Sequence, residues 1–200
     1  MPGQDRRPWR HFAIWIALAL VIAVPLMVAA ESPLLAWRRP VYIIAGFSGI
    51  VAMCLLLLQP LLAAGHLPGF RGGRGRRAHR WTGATLVMLV LVHVAGLWIT
   101  SPPDVIDALL FVSPTPFSVW GVMAMWAIFL MALLAIRQRR SRSWHLGHRA
   151  AALVVIVGSV VHALLIEGAM EPLTKAVLCA FVLVASLLVI FGHRIRAPSR

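Results

Sequence analysis

Acidic charge is what this chain has least of. It holds six Asp and Glu against nineteen Lys and Arg, in 200 residues of which 12% are charged and 60% hydrophobic. So small a charged share excludes an ordinary soluble domain, which could not bury that proportion of apolar surface. Cysteine is scarce as well. Cys54 and Cys179 lie inside apolar runs (AMCLLLL and VLCAFVL) as small hydrophobes, which excludes a disulfide framework or a cysteine metal motif. Also missing is a Gly-rich phosphate loop in a strand–helix setting, so no nucleotide-binding domain is legible. The net charge of +13 does not point to nucleic acid. The arginines sit in short clusters between apolar runs, which is the pattern of membrane topology.

What is present is apolar length. A membrane-crossing helix needs about 20 mostly apolar residues. Six stretches qualify: 12–30, 41–64, 80–100, 118–136, 149–167 and 173–192. Backbone groups in lipid must be paired internally, so these segments are expected to be helices. The expected fold is all-α, a six-helix transmembrane bundle over 12–193, with tails at 1–11 and 194–200. The first run follows a basic stretch, RRPWRH, but is too long for a signal peptide and reads as the first span. Gln59 beside Pro60 marks the expected end of the second.

Charge sets the expected orientation. With the N-terminus inside, the inner segments hold Arg6, Arg7 and Arg10; Arg71, Arg74, Arg76, Arg77 and Arg80; Arg137, Arg139, Arg140, Arg142 and Arg149; and Arg194, Arg196 and Arg200. That is 16 of 19 basic residues, leaving Arg38, Arg39 and Lys175 outside. Five of six acids fall outside: Glu31, Asp104, Asp107, Glu167 and Glu171. The positive-inside rule then places both termini in the cytoplasm, in a multi-pass protein of a bacterial inner (plasma) membrane. The tryptophans near span ends read as an interfacial belt.

Two spans carry a matched pattern. Residues 79–93 read HRWTGATLVMLVLVH and residues 148–162 read HRAAALVVIVGSVVH. Ionisable side chains inside a span are costly and usually functional. Fourteen residues is close to four helical turns, so each pair shares nearly one face, about 21 Å apart along the axis. Both spans run in one direction, so His79 and His148 share the inner level and His93 and His162 the outer. That spacing suits two stacked sites rather than one compact metal centre. Haem meets the constraint, taking one imidazole on each face of its iron. Arg80 and Arg149 follow the inner histidines and suit propionates. Gly83, Gly96 and Gly158, each about a turn from a histidine, leave room for a porphyrin edge, with ordinary helix packing as the alternative. Ala151 and Ala152 lie beside His148 in the same way. His145 competes with His148, but its seventeen-residue separation from His162 turns it about 100° off that face. His11, His66 and His193 read as interfacial. No catalytic residue is assigned.

With these residues in view, the chain resembles the ferric reductase-like transmembrane domain family, the membrane haem part of ferric reductases and NADPH oxidases. The resemblance rests on HRWTG…H in the third span, W-x-x-x-H-R…H from Trp144 to His162 in the fifth, and the six-span layout. It implies two haems b on the paired histidines, with electrons passing from a cytoplasmic flavin to an acceptor on the far side. No flavin or NAD(P)H domain is legible here, so the donor is expected to be a separate flavin reductase or a membrane quinol. The acceptor is expected to be an outer-side metal complex or a periplasmic protein, drawn by Asp104, Asp107, Glu167 and Glu171, unless those acids merely reflect loops poor in Lys and Arg. Two rival readings stand beside this: a cytochrome b561-like quinol-oxidising subunit, and a haem-free transporter or assembly protein using the histidines as a relay.

Overall fold

The computed structural model describes residues 8–137 and 141–195. It consists of α1 (Pro8–Ala30), a short 3-10 turn (Pro33–Leu35), α2 (Pro40–Ala64), α3 (Gly72–Thr100), α4 (Pro102–Leu109), α5 (Pro116–Arg137), α6 (Arg142–Leu165) and α7 (Pro172–Ile195). All the helices but α4 are long and apolar enough to cross a bilayer, and no strand occurs among the described residues. The chain is an all-α, six-span membrane bundle. Arg6, Arg7, Arg139, Arg140, Arg196 and Arg200, which enter the charge argument, lie outside the described residues.

Every span starts earlier than hydropathy predicts. The largest differences are α3, from Gly72 rather than 80, and α6, from Arg142 rather than 149. Hydropathy marks where side chains turn apolar, whereas a helix begins where its first N–H groups find acceptors. Ser141 supplies one such acceptor, taking the Trp144 N–H at 3.1 Å. His79 and His148 therefore sit about two turns inside their helices. Pro60 does not end α2, which continues to Ala64 and closes on Gly65 in the left-handed conformation (φ 69°). A proline is tolerated there because neighbouring groups in a bundle re-satisfy the backbone it frees.

Two helical hairpins organise the bundle. α2 packs along α3, and α5 along α6, while α7 closes against α2 and α6 and α1 lies at the edge. The two histidine helices, α3 and α6, scarcely approach each other. The core gathers Cys54, Leu57, Val155, Leu178, Cys179 and Val182. Lys175 is buried at the start of α7 and donates to the Ile166 carbonyl just past α6, at 2.7 Å. That bond occupies one of the carbonyls a helix C-terminus leaves free. The connection between α3 and α5 contains α4, which ends at Leu109, so Leu110 and Phe111 of the DALLF stretch lie outside it.

Candidate functional site

The outer histidines face each other. His93, on α3, and His162, on α6, have ring centroids 6.4 Å apart, with the rings at 88°. Each Nδ1 bonds a backbone carbonyl on its own hairpin partner: His93 to Ala45 O at 2.8 Å, His162 to Phe117 O at 2.9 Å. A carbonyl only accepts, so Nδ1 carries the proton in both rings. Each Nε2 is then left as an unprotonated lone pair, the form in which imidazole ligates a metal.

Both rings rest on glycines. A Cβ on Gly49 would lie 3.0 Å from His93 Nδ1, and one on Gly121 would lie 2.6 Å from His162 Nδ1. In each hairpin the accepting carbonyl and the clearing glycine are four residues apart, Ala45 with Gly49 and Phe117 with Gly121. One helical turn thus holds the ring by its carbonyl and makes space for it by its glycine. The arrangement occurs twice, on two different hairpins.

The inner level is built less regularly. His79 Nδ1 donates to Gln59 O at 3.2 Å, and the Gln59 side chain donates to Thr82 Oγ1 at 2.9 Å. Gln59 therefore ties α2 to α3 inside the membrane rather than marking a span end. His148 is half-buried. Its ring stacks on Trp144, at 9° and 5.1 Å between centroids, and Trp144 is anchored by its Nε1–H to Leu134 O at 2.8 Å. His148 Nδ1 is buried without a hydrogen-bond partner. His145 is exposed, and its Nδ1 donates back to Ser141 O at 2.8 Å on the same face of its own helix.

The remaining expected site residues fall elsewhere. Arg80 and Arg149 are exposed. Gly96 and Gly158 serve helix packing. A Cβ on Gly96 would lie 2.7 Å from the Ala45 Cβ, and one on Gly158 would lie 2.9 Å from the Trp120 carbonyl oxygen. Gly83 faces Gln59. The three glycines thus turn toward α2 and α5, the hairpin partners, because close helix approach in a membrane requires small residues there. Glu171, expected to attract an acceptor, spends its carboxylate on the backbone N–H groups of Leu173 and Thr174, at 2.8 and 2.7 Å. Sequence reasoning missed Gly49 and Gly121, read Gln59 only as a span end, and gave Trp144 only as part of the motif of the resemblance. A glycine within an apolar span, as in FSGIV and VWGVM, was the available signal.

Haem places definite demands on such an arrangement. Two imidazoles sharing a metal at about 2 Å from each nitrogen stand roughly 6 Å apart between centroids, which the outer pair matches. The histidine helices are held apart by their hairpins, and both outer Nε2 atoms are free. His148 carries an unmet ring nitrogen at the inner level. Among the described residues no three His, Cys, Asp or Glu gather as a metal-ion cluster. The residues present fit the group. Residues 48–159, more than half of the chain, match the family described as ferric reductase like transmembrane component. Neither a curated protein nor a solved structure matches the chain.

Proposed function

This chain belongs to the ferric reductase like transmembrane component family, and on that premise we propose that it carries electrons across the membrane on two haems b. His93 and His162 would hold the outer one, and His79 and His148 the inner one. The observation that carries the reading is the opposition of His93 and His162, 6.4 Å apart on helices that otherwise keep their distance. Haem held there would supply one-electron transfer.

The chain's own residues do the positioning. The Ala45, Phe117 and Gln59 carbonyls fix the ring tautomer at three of the four histidines and make each Nε2 a stronger donor. Gly49 and Gly121 fix where the outer rings lie. Trp144 sets the plane of His148. Arg80 and Arg149, exposed and next in sequence to His79 and His148, would be the cations available to propionates. The arginine-rich inner end would receive electrons from a cytoplasmic-side donor, and an acceptor outside would take them. An inside-negative potential favours that direction by about 2.3 kcal/mol per charge for each 100 mV crossed.

A spectrum of the purified protein before and after dithionite, with a haem-to-protein ratio, tests this. Two haems b per chain are expected. His93→Ala and His162→Ala should each remove the same one, and His79→Ala and His148→Ala the other. A colourless protein from haem-replete cells would overturn the reading. Loss of the inner haem in His145→Ala but not in His148→Ala would move the inner ligand.

A further inference from the structure

His11 and His66 read from the sequence as interfacial residues without a role. The structure brings them to one place. The first turns of α1 lean against the connection between α2 and α3, with Trp15 and Phe70 in edge contact at 6.0 Å. Between them lies a cavity of about 390 Å³, lined by Trp9, Arg10 and His11 from α1 and by His66, Pro68 and Arg71 from the connection, over an apolar floor. Among the described residues the ionisable side chains on this wall are all arginine or histidine, and no carboxylate lines it. Two guanidiniums on one wall, with no acid among the described lining residues, set up a positive field that favours an anion.

The level of the cavity narrows the choice of anion. It sits where α1 begins and α2 ends, so it lies at a membrane–water boundary, whichever face that is. Trp9 is largely exposed, with the Arg10 guanidinium 5.9 Å from its ring, a pairing at home among lipid headgroups. Ile14, one turn past Arg10 on α1, lines the cavity and is exposed, where an acyl chain would run. Guanidinium groups recognise phosphate through paired N–H donors. We propose that this cavity binds a phosphate group, held by Arg10 and Arg71 with His11 and His66. The phosphate comes either from an anionic glycerophospholipid or from a soluble phosphate. α1 has few contacts with the rest of the bundle, so a ligand bridging it to the α2–α3 connection fastens it, just ahead of the helix that carries His79. The proposal stands on this cavity alone and does not depend on haem.

Anything that binds only the folded state raises its melting temperature. The full chain in neutral detergent would be melted with added phosphatidylglycerol, with phosphatidylcholine and with inorganic phosphate. Native mass spectrometry would count the bound lipids. Phosphatidylglycerol should raise the melting temperature by several degrees and add a retained lipid, and phosphatidylcholine should do neither. The Arg10→Gln/Arg71→Gln variant should melt normally without lipid and lose at least half of the shift. Arg137→Gln/Arg142→Gln, which removes two exposed arginines outside the cavity, should keep it. An equal shift with inorganic phosphate identifies the soluble source and supports the site. The proposal falls if no phosphate compound shifts the melt, if phosphatidylcholine matches phosphatidylglycerol, or if the two double variants behave alike.

Discussion

At Gly121 a single hydrogen stands where any other residue would place a carbon 2.6 Å from His162 Nδ1 and 2.7 Å from its Cε1. Gly49 is looser, with 3.0 and 3.2 Å to the same atoms of His93. Alanine at 121 must push the ring off the Phe117 carbonyl, while alanine at 49 needs only a shift of tenths of an ångström. Overpacking of this kind costs about 1–3 kcal/mol. Gly121→Ala should therefore lose more thermal stability, and more of the outer haem, than Gly49→Ala, as read by melting and by the reduced-minus-oxidised spectrum. The reverse order would show that the cradles do not set the rings. The four histidines were legible from their spacing. Their carbonyl partners were not, because every residue has a carbonyl and only the hairpin packing decides which one meets an imidazole.

Helix ends carry the next layer of specificity. Glu171 precedes α7 and holds two of its first N–H groups, with Lys175 one turn on. Those N–H bonds, first from Thr174 and then from Leu173, keep its carboxyl below the usual glutamate range. A group whose folded pKa is depressed adds stability that is complete above its unfolded value, about 4.3, and is lost as pH falls through the folded value. The melting temperature should thus hold from neutral pH to near that value and drop below it. Glu171→Gln should flatten the acid-side drop, and an unchanged acid profile in this variant would remove Glu171 from the account. At this scale hydropathy found every span but misjudged the starts of α3 and α6. Polar caps such as Ser141 extend a helix beyond its apolar stretch. It also misread Pro60, because a bundle tolerates a proline that an isolated helix would not.

The whole molecule is two hairpins holding their second helices apart, and its orientation rests on where the arginines lie. Cys54 and Cys179 are both 2% exposed, so the native chain offers a quiet background for thiol labelling. Val112→Cys, in the connection after α4, should react with a membrane-impermeant maleimide in intact cells. Gly73→Cys, at the start of α3 where a side chain meets open space, should react only after permeabilisation. The opposite pattern would invert the expected orientation and with it the proposed direction of electron flow. The outward-facing apolar side chains, Trp126 and Phe181 among them, suit a lipid surround.

The sequence by itself determined the class of protein and the number of spans, and it put forward the histidine pairs, because hydropathy, charge clustering and helical phase are properties of neighbours along the chain. Only the tertiary structure decided that α3 and α6 stand apart, and that Gly49 and Gly121 make room for imidazoles while Gly96 and Gly158 make room for helices. It alone brought Arg10 and Arg71 to one cavity. These depend on which surfaces meet across the bundle, and residues 40 or more positions apart leave no periodic trace of having met.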